Sequence, residues 1–503
     1  MTIGELSEKV LLNLSCYYLD ASPRLWPRLA HICRRWRRIL FASQRTLYLR
    51  LICTHGTPVL KSLDCWPALP IVVQYGGSPE FDAPTSEDED NILAALKQPD
   101  RVSSIHLTLT NSLLEKLSAI RQPVSELEDL VLLSQDNLQQ TLPINVFGWG
   151  TRLRSLHLTR ITFFALPQLL YSSRKLVDLR LHEVFSRWLF SPEELTDALV
   201  GMAQLQSLSL HFPPTTDHIG RHLPCRKRVV LPSLTRLNFR GIAEYLEDLV
   251  AGIDAPHLGD IEVTLFNEPV SGFSRLYEFI DRIQMDKSPD RVDILFSEPV
   301  VSISLTWPGP PTRFKTQLFC EPLALQLSTI TRICGHLSFL FNVEELHISA
   351  TQQSRPDDGF HPEPWLELLN SFTSVKLLHI SGELSSYITR ALGGAERRKT
   401  VLPTMHKLCI PRDRARGAPL SEAVVSLLTS RRLSGHPIAV EYERQCHIND
   451  SRGAGTIYSK HHHVEVVYSR ASRSSMVAQA RERKATHLLS GRAPRSITLP
   501  GGV

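Results

Sequence analysis

The sequence predicts an α/β protein in which a short helical unit precedes a long stack of strand-and-helix repeats. Two observations support this fold class. From about residue 100 onward, the spacing apolar-x-x-apolar-x-apolar recurs along the chain, as expected for short buried strands at regular intervals. Before residue 50, apolar side chains recur instead at helical spacing. We therefore expect helices first, and then an irregular solenoid with a parallel sheet on its concave face.

The first fifty residues predict three short helices. In the stretch LAHICRRWRRILFAS, residues 29–43, the apolar side chains fall on one side of a helix and four arginines fill the other. The stretch LSEKVLLNLSCYYLD carries a similar apolar stripe, and Pro27 separates a brief second helix around Leu25–Trp26 from it. Fifty residues bury too little surface to be stable alone, so this unit must pack on the rest of the chain or on another chain.

Composition and charge restrict the classes of function. The chain has 503 residues, of which 42% are hydrophobic and 21% are charged, which is ordinary for a soluble globular protein. The net charge of +5 is unevenly distributed, because residues 1–50 carry +6 and residues 452–503 carry +7, which leaves −8 for the residues between them. An acidic middle is poorly suited to hold a phosphate backbone, so any nucleic-acid contact is expected only at the basic ends.

Cysteine usage and the first residues predict the compartment. The nine cysteines are scattered and never spaced C-x-x-C, which favours a reducing environment over a disulfide framework or a zinc site. The start MTIGELSEKV lacks a basic stretch followed by an apolar one, and no apolar run is long enough to span a membrane. We therefore expect a cytoplasmic or nuclear protein.

The repeat pattern occurs eleven times, mostly at intervals of 23–32 residues. The last two apolar positions of each copy point inward on a short strand, and the first packs on the turn below. Segments such as SPEELTDALVGMAQ have helical periodicity and are expected between the strands. The copies are VSSIHL (102), LEDLVL (127), LRSLHL (153), LVDLRL (176), LQSLSL (205), LTRLNF (234), LGDIEV (258), VVSISL (300), VEELHI (343), VKLLHI (375) and MHKLCI (405).

Departures from this period suggest the domain boundaries. Intervals of about 42 residues flank position 300, which predicts an irregular stack rather than a regular one. The acidic stretch SPEFDAPTSEDEDNI is typical of an exposed loop. We expect a helical unit over 1–50, a connector over 51–100, the repeat stack over 101–445, two terminal strands over 446–468 and a disordered basic tail over 469–503.

The N-terminal unit resembles the F-box motif, and the remainder resembles degenerate leucine-rich repeats. The F-box usually has Leu-Pro and an acidic residue before an apolar helix, then a helix of the form V-C-[RK]-x-W-[RK]. This chain has Cys33, Arg34, Trp36 and Arg37 in the second helix, whereas Ser7 replaces the proline of the first. The stretch FASQRTLYLRLICTHGTPV also resembles the segment after the F-box in a large fungal-type group. In the repeats, the asparagine that usually comes after each strand is absent.

This resemblance implies a substrate-receptor subunit of a Skp-cullin-F-box ubiquitin ligase. The F-box would dock on a Skp-type adaptor and thereby a cullin, the repeats would hold a target protein, and the chain itself would catalyse nothing. The implied adaptor-binding residues are Leu6, Val10, Leu11, Leu14, Leu29, Ile32, Cys33 and Trp36. Alternate strand positions supply a candidate target-binding face on the concave side, formed by His157, Arg180, Ser209, Asn238, Glu262, Ser304, His347, His379 and Cys409.

Two other classes stay open at this point. A repeat scaffold without a ligase role is the main alternative, since Ser7 and Lys9 depart from the F-box pattern, and a nucleic-acid binder acting through basic ends is a third. His461, His462 and His463 are consecutive on a predicted strand, so they point to alternate faces and do not favour a metal site. The sequence contains no G-x-x-x-x-G-K-[ST], H-E-x-x-H or G-x-S-x-G motif, and we expect neither an enzyme nor a cofactor.

Overall fold

The structure is a computed structural model, and the predicted second helix around Leu25–Trp26 and the predicted tail 469–503 lie outside the residues it describes. The described residues are 6–21, 31–42, 48–65, 69–76, 83–120, 122–134, 140–141, 152–162, 165–183, 191–213, 228–267, 272–283, 289–307, 313–351, 361–380, 384–395, 401–411, 422–443, 457–459 and 462–464.

One sheet of 16 strands runs through the repeat stack, with its strands almost in chain order. From β1 to β19, neighbouring strands pair in parallel except at the two pairs that β15 makes, which are antiparallel. In sheet order the strands are β1 (Leu49–Ile52), β2 (Ile71–Tyr75), β3 (Val102–Leu109), β4 (Asp129–Ser134), β6 (Ser155–Thr159), β8 (Asp178–His182), β9 (Ser207–His211), β11 (Arg236–Gly241), β13 (Asp260–Leu265), β16 (Arg313–Phe319), β15 (Val300–Thr306), β14 (Arg291–Ser297), β17 (Glu345–Ala350), β18 (Leu377–Ile380), β19 (Lys407–Pro411) and β20 (Ala439–Glu443).

Short strand pairs accompany this sheet in the loops, namely β5 (Gln140–Thr141) with β7 (Ile161–Thr162), and β10 (Val229–Val230) with β12 (Ile253–Asp254). Helices connect the strands, and their apolar sides share one core with the strand leucines. The helices are α1 (Glu8–Ala21), α2 (Arg34–Ala42), α3 (Val59–Cys65), α4 (Ser86–Leu96), α5 (Asn111–Ser118), α6 (Leu166–Ser172), α7 (Pro192–Leu199), α8 (Ala243–Gly252), α9 (Ser274–Arg282), α10 (Leu323–His336), α11 (Glu363–Asn370), α12 (Leu384–Ala395) and α13 (Glu422–Leu433), with a short 3₁₀ helix at Ser338–Asn342.

The copy LRSLHL shows why the repeat pattern produces a strand with two different faces. Leu153 packs on the turn before β6, and Leu156 and Leu158 point into the core, so that all three leucines are buried. His157 lies between the last two and is only half-buried. Because successive side chains of a strand point to opposite faces, the leucines of all strands lie on one face of the sheet. The helices pack on this apolar face. The predicted parallel repeat sheet is therefore confirmed, and no helix within the described ranges covers its other face.

The prediction at residue 300 is wrong in one respect. VVSISL forms β15 as predicted, but this strand is antiparallel to both of its neighbours, so it is an inserted strand and not a repeat copy. The parallel positions belong to β14 and β16, which the repeat pattern missed. Neither has the apolar residue three positions before its first core residue, and β16 buries Thr316 where a leucine is usual. The two intervals of about 42 residues arise because the pattern matched the inserted strand β15 and missed β14 and β16 on either side of it.

The connector predicted over 51–100 is part of the sheet. Strand β1 begins at Leu49 and pairs with β2, so the stack starts before residue 51. The acidic end of the stretch predicted as an exposed loop, from Ser86 onward, is the start of helix α4, where Thr85 and Asp88 make a capping box. Asp88 and Glu89 are both buried, because each carboxylate accepts hydrogen bonds from a neighbouring segment. The charges of this stretch suggested that it is exposed. Hydrogen bonds from other segments offset the cost of burying the two carboxylates.

Buried carboxylates join one repeat to the next. Glu89 of α4 accepts hydrogen bonds from Thr110 and Ser112 at the start of α5, at 3.0 and 2.9 Å. Glu247 of α8 accepts the first backbone N–H groups of α9, from Arg275 at 2.9 Å and Leu276 at 3.0 Å. The Glu247 carboxylate thereby satisfies amides of the kind that every helix leaves unpaired at its N-terminus. The same bonds fix the spacing between successive helices.

Two residues that come directly after strands have left-handed backbones where the repeat family usually has asparagine. Arg160 and Glu183 have φ values of 58° and 49°. Asparagine tolerates this region best among residues with a side chain, and other residues occupy it at some cost. Here the two side chains form an ion pair, with Arg160 Nε 2.6 Å from a Glu183 carboxylate oxygen. An ion pair between neighbouring repeats thus takes the place of the asparagine.

The chain divides into two compact units. The first comprises 1–410 and 415–441, and so includes α1, α2 and nearly the whole sheet. The second comprises 411–414 and 442–503, and among its described residues β21 (Ile457–Ser459) pairs antiparallel with β22 (His462–Val464). Both strands lie within the range 446–468 in which the sequence predicts two terminal strands. Among the described helices, none is long and apolar enough to cross a membrane.

Candidate protein-binding surfaces

The face of the sheet opposite the apolar core, called the open face below, carries the nine residues predicted to bind a target. The strand registers align them in one row across the sheet, including Ser304, although its strand is antiparallel. Successive members of this row are one strand apart, or about 4.8 Å. From first strand to last the row is Gln74, His106, Val131, His157, Arg180, Ser209, Asn238, Glu262, Lys315, Ser304, Asp293, His347, His379 and Cys409.

Sequence reasoning missed the two rows that flank this one. They consist of the residues two positions before and two positions after each member, with the order reversed on the antiparallel strand β15, and most of them are polar. Strand alternation could have located them, but the prediction named only one position per strand. The row before runs Ser104, Asp129, Ser155, Asp178, Ser207, Arg236, Asp260, Arg313, Thr306, Arg291, Glu345, Leu377 and Lys407, and part of the row after runs Thr159, His182, His211, Arg240, Thr264 and Gln317.

Three histidines on adjacent strands, His157, His182 and His211, form a cluster on the open face. The rings of His182 and His211 stack with their centroids 3.9 Å apart and their planes within 5°. The ring of His157 meets His182 edge-on at 5.1 Å. Hydroxyl and amide groups complete the cluster, since His182 Nε2 lies 2.8 Å from Ser209 Oγ and His211 Nε2 lies 3.1 Å from Asn238 Oδ1.

The environment of this cluster favours neutral imidazoles. Burial lowers the pKa of His182 to about 3, and the charges of His211, His157 and Arg180 would add repulsion to a protonated ring. Burial and then Arg180 lower the pKa of His157 as well. Burial also lowers the pKa of His211, although the hydrogen bond with Asn238 opposes it. The cluster is thus an uncharged, hydrogen-bonding part of the open face near neutral pH.

Asp129, His106 and Ser104 lie together on β3 and β4 but lack the geometry of a catalytic triad. Ser104 Oγ lies 3.1 Å from His106 Nε2 and also donates to Asp129 Oδ2 at 3.0 Å, while the same Nε2 of His106 contacts that carboxylate. A charge-relay histidine must use its two nitrogens for two different partners. Here burial raises the pKa of Asp129, but hydrogen bonds from His106, Ser155 and Ser104 outweigh it and hold the pKa below its usual value. The cluster is an ionised carboxylate with satisfied partners.

Charged side chains dominate the middle of the open face. Arg236 and Arg313 approach the carboxylate of Asp260 from opposite sides, at 3.4 and 3.5 Å. Lys315 pairs with Glu262 at 3.0 Å. These contacts join residues up to 53 positions apart in sequence, such as Lys315 and Glu262, so they depend on strand register and could not be foreseen from the sequence.

Toward β19, several charges of the open face are paired. Asp293 accepts hydrogen bonds from Arg291 Nε at 2.9 and 3.0 Å, and His347 Nδ1 lies 3.8 Å from the same carboxylate. The ring of His347 also contacts that of His379, with centroids 4.8 Å apart. At the last strands, Lys407 pairs with Glu441 at 2.9 Å. The predicted face residues His347 and His379 therefore belong to a continuous polar network.

The second candidate surface belongs to the helical pair α1 and α2. Trp36 is 7% exposed, and its Nε1–H donates to Ser15 Oγ at 2.7 Å. Ser15 Oγ in turn donates to the carbonyl of Leu11, which is also buried. Leu11 and Trp36 were predicted to contact an adaptor, but the structure places both in the chain's own core, where they hold the two helices together. Their predicted role thus becomes one of support.

Other predicted adaptor residues of the helical pair point outward. Val10, Leu14 and Ile32 are 43%, 46% and 47% exposed, and Cys33 is also exposed. Tyr17, which the prediction did not include, extends the stripe of Val10 and Leu14 by one helical turn. Among the remaining predicted residues, Leu6 is half-buried and Leu29 lies outside the described residues. The helical pair therefore has one side sealed by the chain and an apolar side facing solvent.

His462 and His463 lie on β22, and His461 is outside the described residues. Over the ranges that the structure describes, no three His, Cys, Asp or Glu side chains are grouped as a metal site would require.

Comparisons with known proteins add one finding. No family model and no curated protein matches the chain. Among solved structures, the chain is similar to the crystal structure of the leucine-rich repeat-containing protein LegL7 from Legionella pneumophila, with 13% identity and a TM-score of 0.28 over 78% of this chain and 99% of that chain. At this TM-score the similarity supports no conclusion about function, which is inferred below from the sequence and the geometry.

Proposed function

We propose that this chain is a non-catalytic substrate receptor of a Skp-cullin-F-box ubiquitin ligase. In this proposal the helical pair docks on a Skp-type adaptor, and the open face of the leucine-rich repeats holds a target protein. The chain then acts by raising the concentration of the target near the ubiquitin-loaded enzyme. The observation that carries the proposal is the exposed apolar stripe of Val10 and Leu14 on a helical pair whose other side is sealed by Trp36.

Exposed apolar residues in a row are uncommon on a monomer unless a partner covers them. Val10, Leu14 and Tyr17 lie one turn apart on α1, so a partner could cover all three at once. The resemblance of CRRWR, residues 33–37, to the second F-box helix indicates which partner this is. The polar, largely ion-paired open face is suited to a protein target, because specific interfaces combine such polar contacts with a few anchors.

The test is capture of a purified Skp-type adaptor by the full chain. Val10→Asp places a charge in the centre of the exposed stripe without touching the core, so adaptor binding should fall by about tenfold or more. Val425→Asp is the matched control, since Val425 is also a helical valine, is 45% exposed, and lies far along the chain on α13. The control should bind the adaptor as tightly as the unmodified chain.

Two results would contradict the ligase role. One is failure of the unmodified chain to retain the adaptor, and the other is equal loss of binding in the two variants. In either case, recovery of a target protein on the open face would favour the second candidate, a repeat scaffold without a ligase role. That candidate is favoured by the extent of the open face, which spans 16 strands and does not depend on the helical pair.

A further inference from the structure

The open face is not uniform in charge along the sheet. Strands β11, β13 and β16 together present four cationic and two anionic side chains, which leaves two positive charges in excess. On the side toward β1, the open-face charges of the described strands balance, with Arg50 and Arg180 against Asp129 and Asp178. On the other side, the described strands present one more acid than base. The six residues, called the central cationic section below, are Arg236, Arg240, Asp260, Glu262, Arg313 and Lys315.

The excess charge is accessible because two arginines share one carboxylate. Arg236 and Arg313 both contact Asp260, at 3.4 and 3.5 Å, and their side chains remain 59% and 51% exposed. A guanidinium group has five N–H donors in a fixed fork, so each arginine keeps several donors for a ligand. Since the two arginines are two strands apart, their positions are separated by about 10 Å.

Arg240 supplies a third cation at the other end of β11. Within the described ranges it contacts no carboxylate, and its guanidinium carbon lies 5.3 Å from the centre of the Phe266 ring. Phe266 is half-buried and packs against Phe319 of β16, with ring centroids 5.3 Å apart. Four residues of extended strand separate Arg236 from Arg240, or about 13 Å. The three arginines therefore surround a patch of the open face, and the Phe266 ring lies at one edge of that patch.

We propose that the central cationic section binds a short acidic segment of a target protein. The inference deepens the proposed function and rests on its assignment of the open face to the target. Carboxylate and phosphate groups are both oxyanions that arginine forks can bind in pairs, so the segment is defined by this shared chemistry. A nucleic acid fits less well, because the positive excess is confined to three strands, and a polyphosphate that ran across the sheet would leave it and meet carboxylates such as Asp129, Asp178 and Glu345.

Fluorescence anisotropy of labelled peptides on the full chain tests this inference. The probe is an octapeptide of alternating glycine and glutamate, compared with the same peptide carrying glutamine and with one carrying phosphoserine. The glutamate and phosphoserine peptides should bind at low salt and the glutamine peptide should not. Tighter binding of the phosphoserine peptide than of the glutamate peptide would identify phosphate as the preferred oxyanion, and the reverse would identify carboxylate.

Three variants make the result specific. The double variant Arg236→Gln and Arg313→Gln should weaken binding of the glutamate peptide about fivefold or more, because it removes both exposed guanidinium groups. Arg152→Gln is the control and should leave peptide binding unchanged. Like Arg236 and Arg313, Arg152 is ion-paired and about half exposed (52%), but it comes before strand β6 and does not lie on the sheet. Asp260→Asn removes the shared carboxylate, so it should tighten binding by about twofold or more, which a misfolded variant could not do.

Equal binding of the glutamate and glutamine peptides, equal weakening by Arg152→Gln, or no gain from Asp260→Asn would overturn the inference. So would tighter binding of an oligothymidine than of any peptide, which would assign the section to a polyphosphate. Adaptor capture is measured on the same samples. Retained adaptor capture without peptide binding would refute this inference alone, whereas peptide binding without adaptor capture would refute the ligase role alone.

Discussion

The helical pair and the repeat sheet are both amphipathic, but they differ in which side is left uncovered. In the sheet, the apolar side chains are sealed by the chain's own helices, and the exposed side is a polar network of histidines and ion pairs. In the helical pair, Trp36 and Leu11 are sealed, yet Val10 and Leu14 on the same helices stay exposed. A polar face and an apolar stripe suit different kinds of partner, which is why we assign them to a target and to an adaptor.

The largest effect should come from the sealed side of the helical pair. Trp36→Ala removes a buried aromatic ring and the indole donor to Ser15, and should destabilise this unit by about 3–5 kcal/mol. Hydrogen exchange should then show faster exchange over α1 and α2, with the sheet strands unchanged. Ile32→Ala, at an exposed position, is the control. Slow exchange over α1 in the Trp36 variant would mean that the tryptophan does not hold the pair together.

An intermediate effect is expected at the links between repeats. Glu247→Gln leaves one oxygen instead of two to accept the N–H groups of Arg275 and Leu276, and should lower the free energy of unfolding by about 1–2 kcal/mol. Glu278→Gln, an exposed position on α9, should have little effect. Chemical denaturation measures both. Equal stability of the two variants would show that the buried carboxylate does not link α8 to α9.

A separate effect should be a pH dependence of the open face. A histidine whose pKa is lowered in the folded state is protonated more readily when unfolded, so stability falls as pH drops below about 6.5. His157, His182 and His211 share this direction, and His182 has a pKa of about 3 in the folded chain. Between pH 6.5 and 4.5 the melting temperature should therefore decline, with carboxylates such as Asp129 contributing only at lower pH.

The variant His182→Asn should flatten this decline, because it removes the histidine with the most lowered pKa. The charged groups that act on the cluster are retained in the variant: Arg180 acts on His182, and Arg240, Glu262 and Glu183 act on His211. His406→Asn, at an exposed histidine, should keep the slope of the unmodified chain. A slope that His182→Asn leaves unchanged would show that the cluster does not set the acid sensitivity.

Much of the fold was predictable because the repeat pattern reports directly on burial. Leucines at fixed spacing, such as Leu156 and Leu158, must enter a core, and alternation then determines that His157 faces outward. Strand β16 was missed because Thr316 occupies a core position, where a polar residue hides the pattern. Helix α4 was missed because its acidic start looked exposed, whereas partners from other repeats bury it.

The candidate surfaces were predictable in position but not in detail. Alternation placed nine residues correctly in one row, yet the sharing of Asp260 by Arg236 and Arg313 depends on the register between distant strands. The apolar stripe of α1 and α2 was also visible in the sequence. Periodicity could not say which of its members face inward, because that depends on how the two helices pack, with Trp36 against Ser15.

Hydrogen exchange of the full chain with and without a purified Skp-type adaptor tests the central claim most directly. If the apolar stripe and the open face serve different partners, the adaptor should slow exchange over Glu8–Ala21 and Arg34–Ala42 and leave the strands from β6 to β19 unchanged. Unchanged exchange over both helices, or protection of the sheet strands instead, would contradict the account.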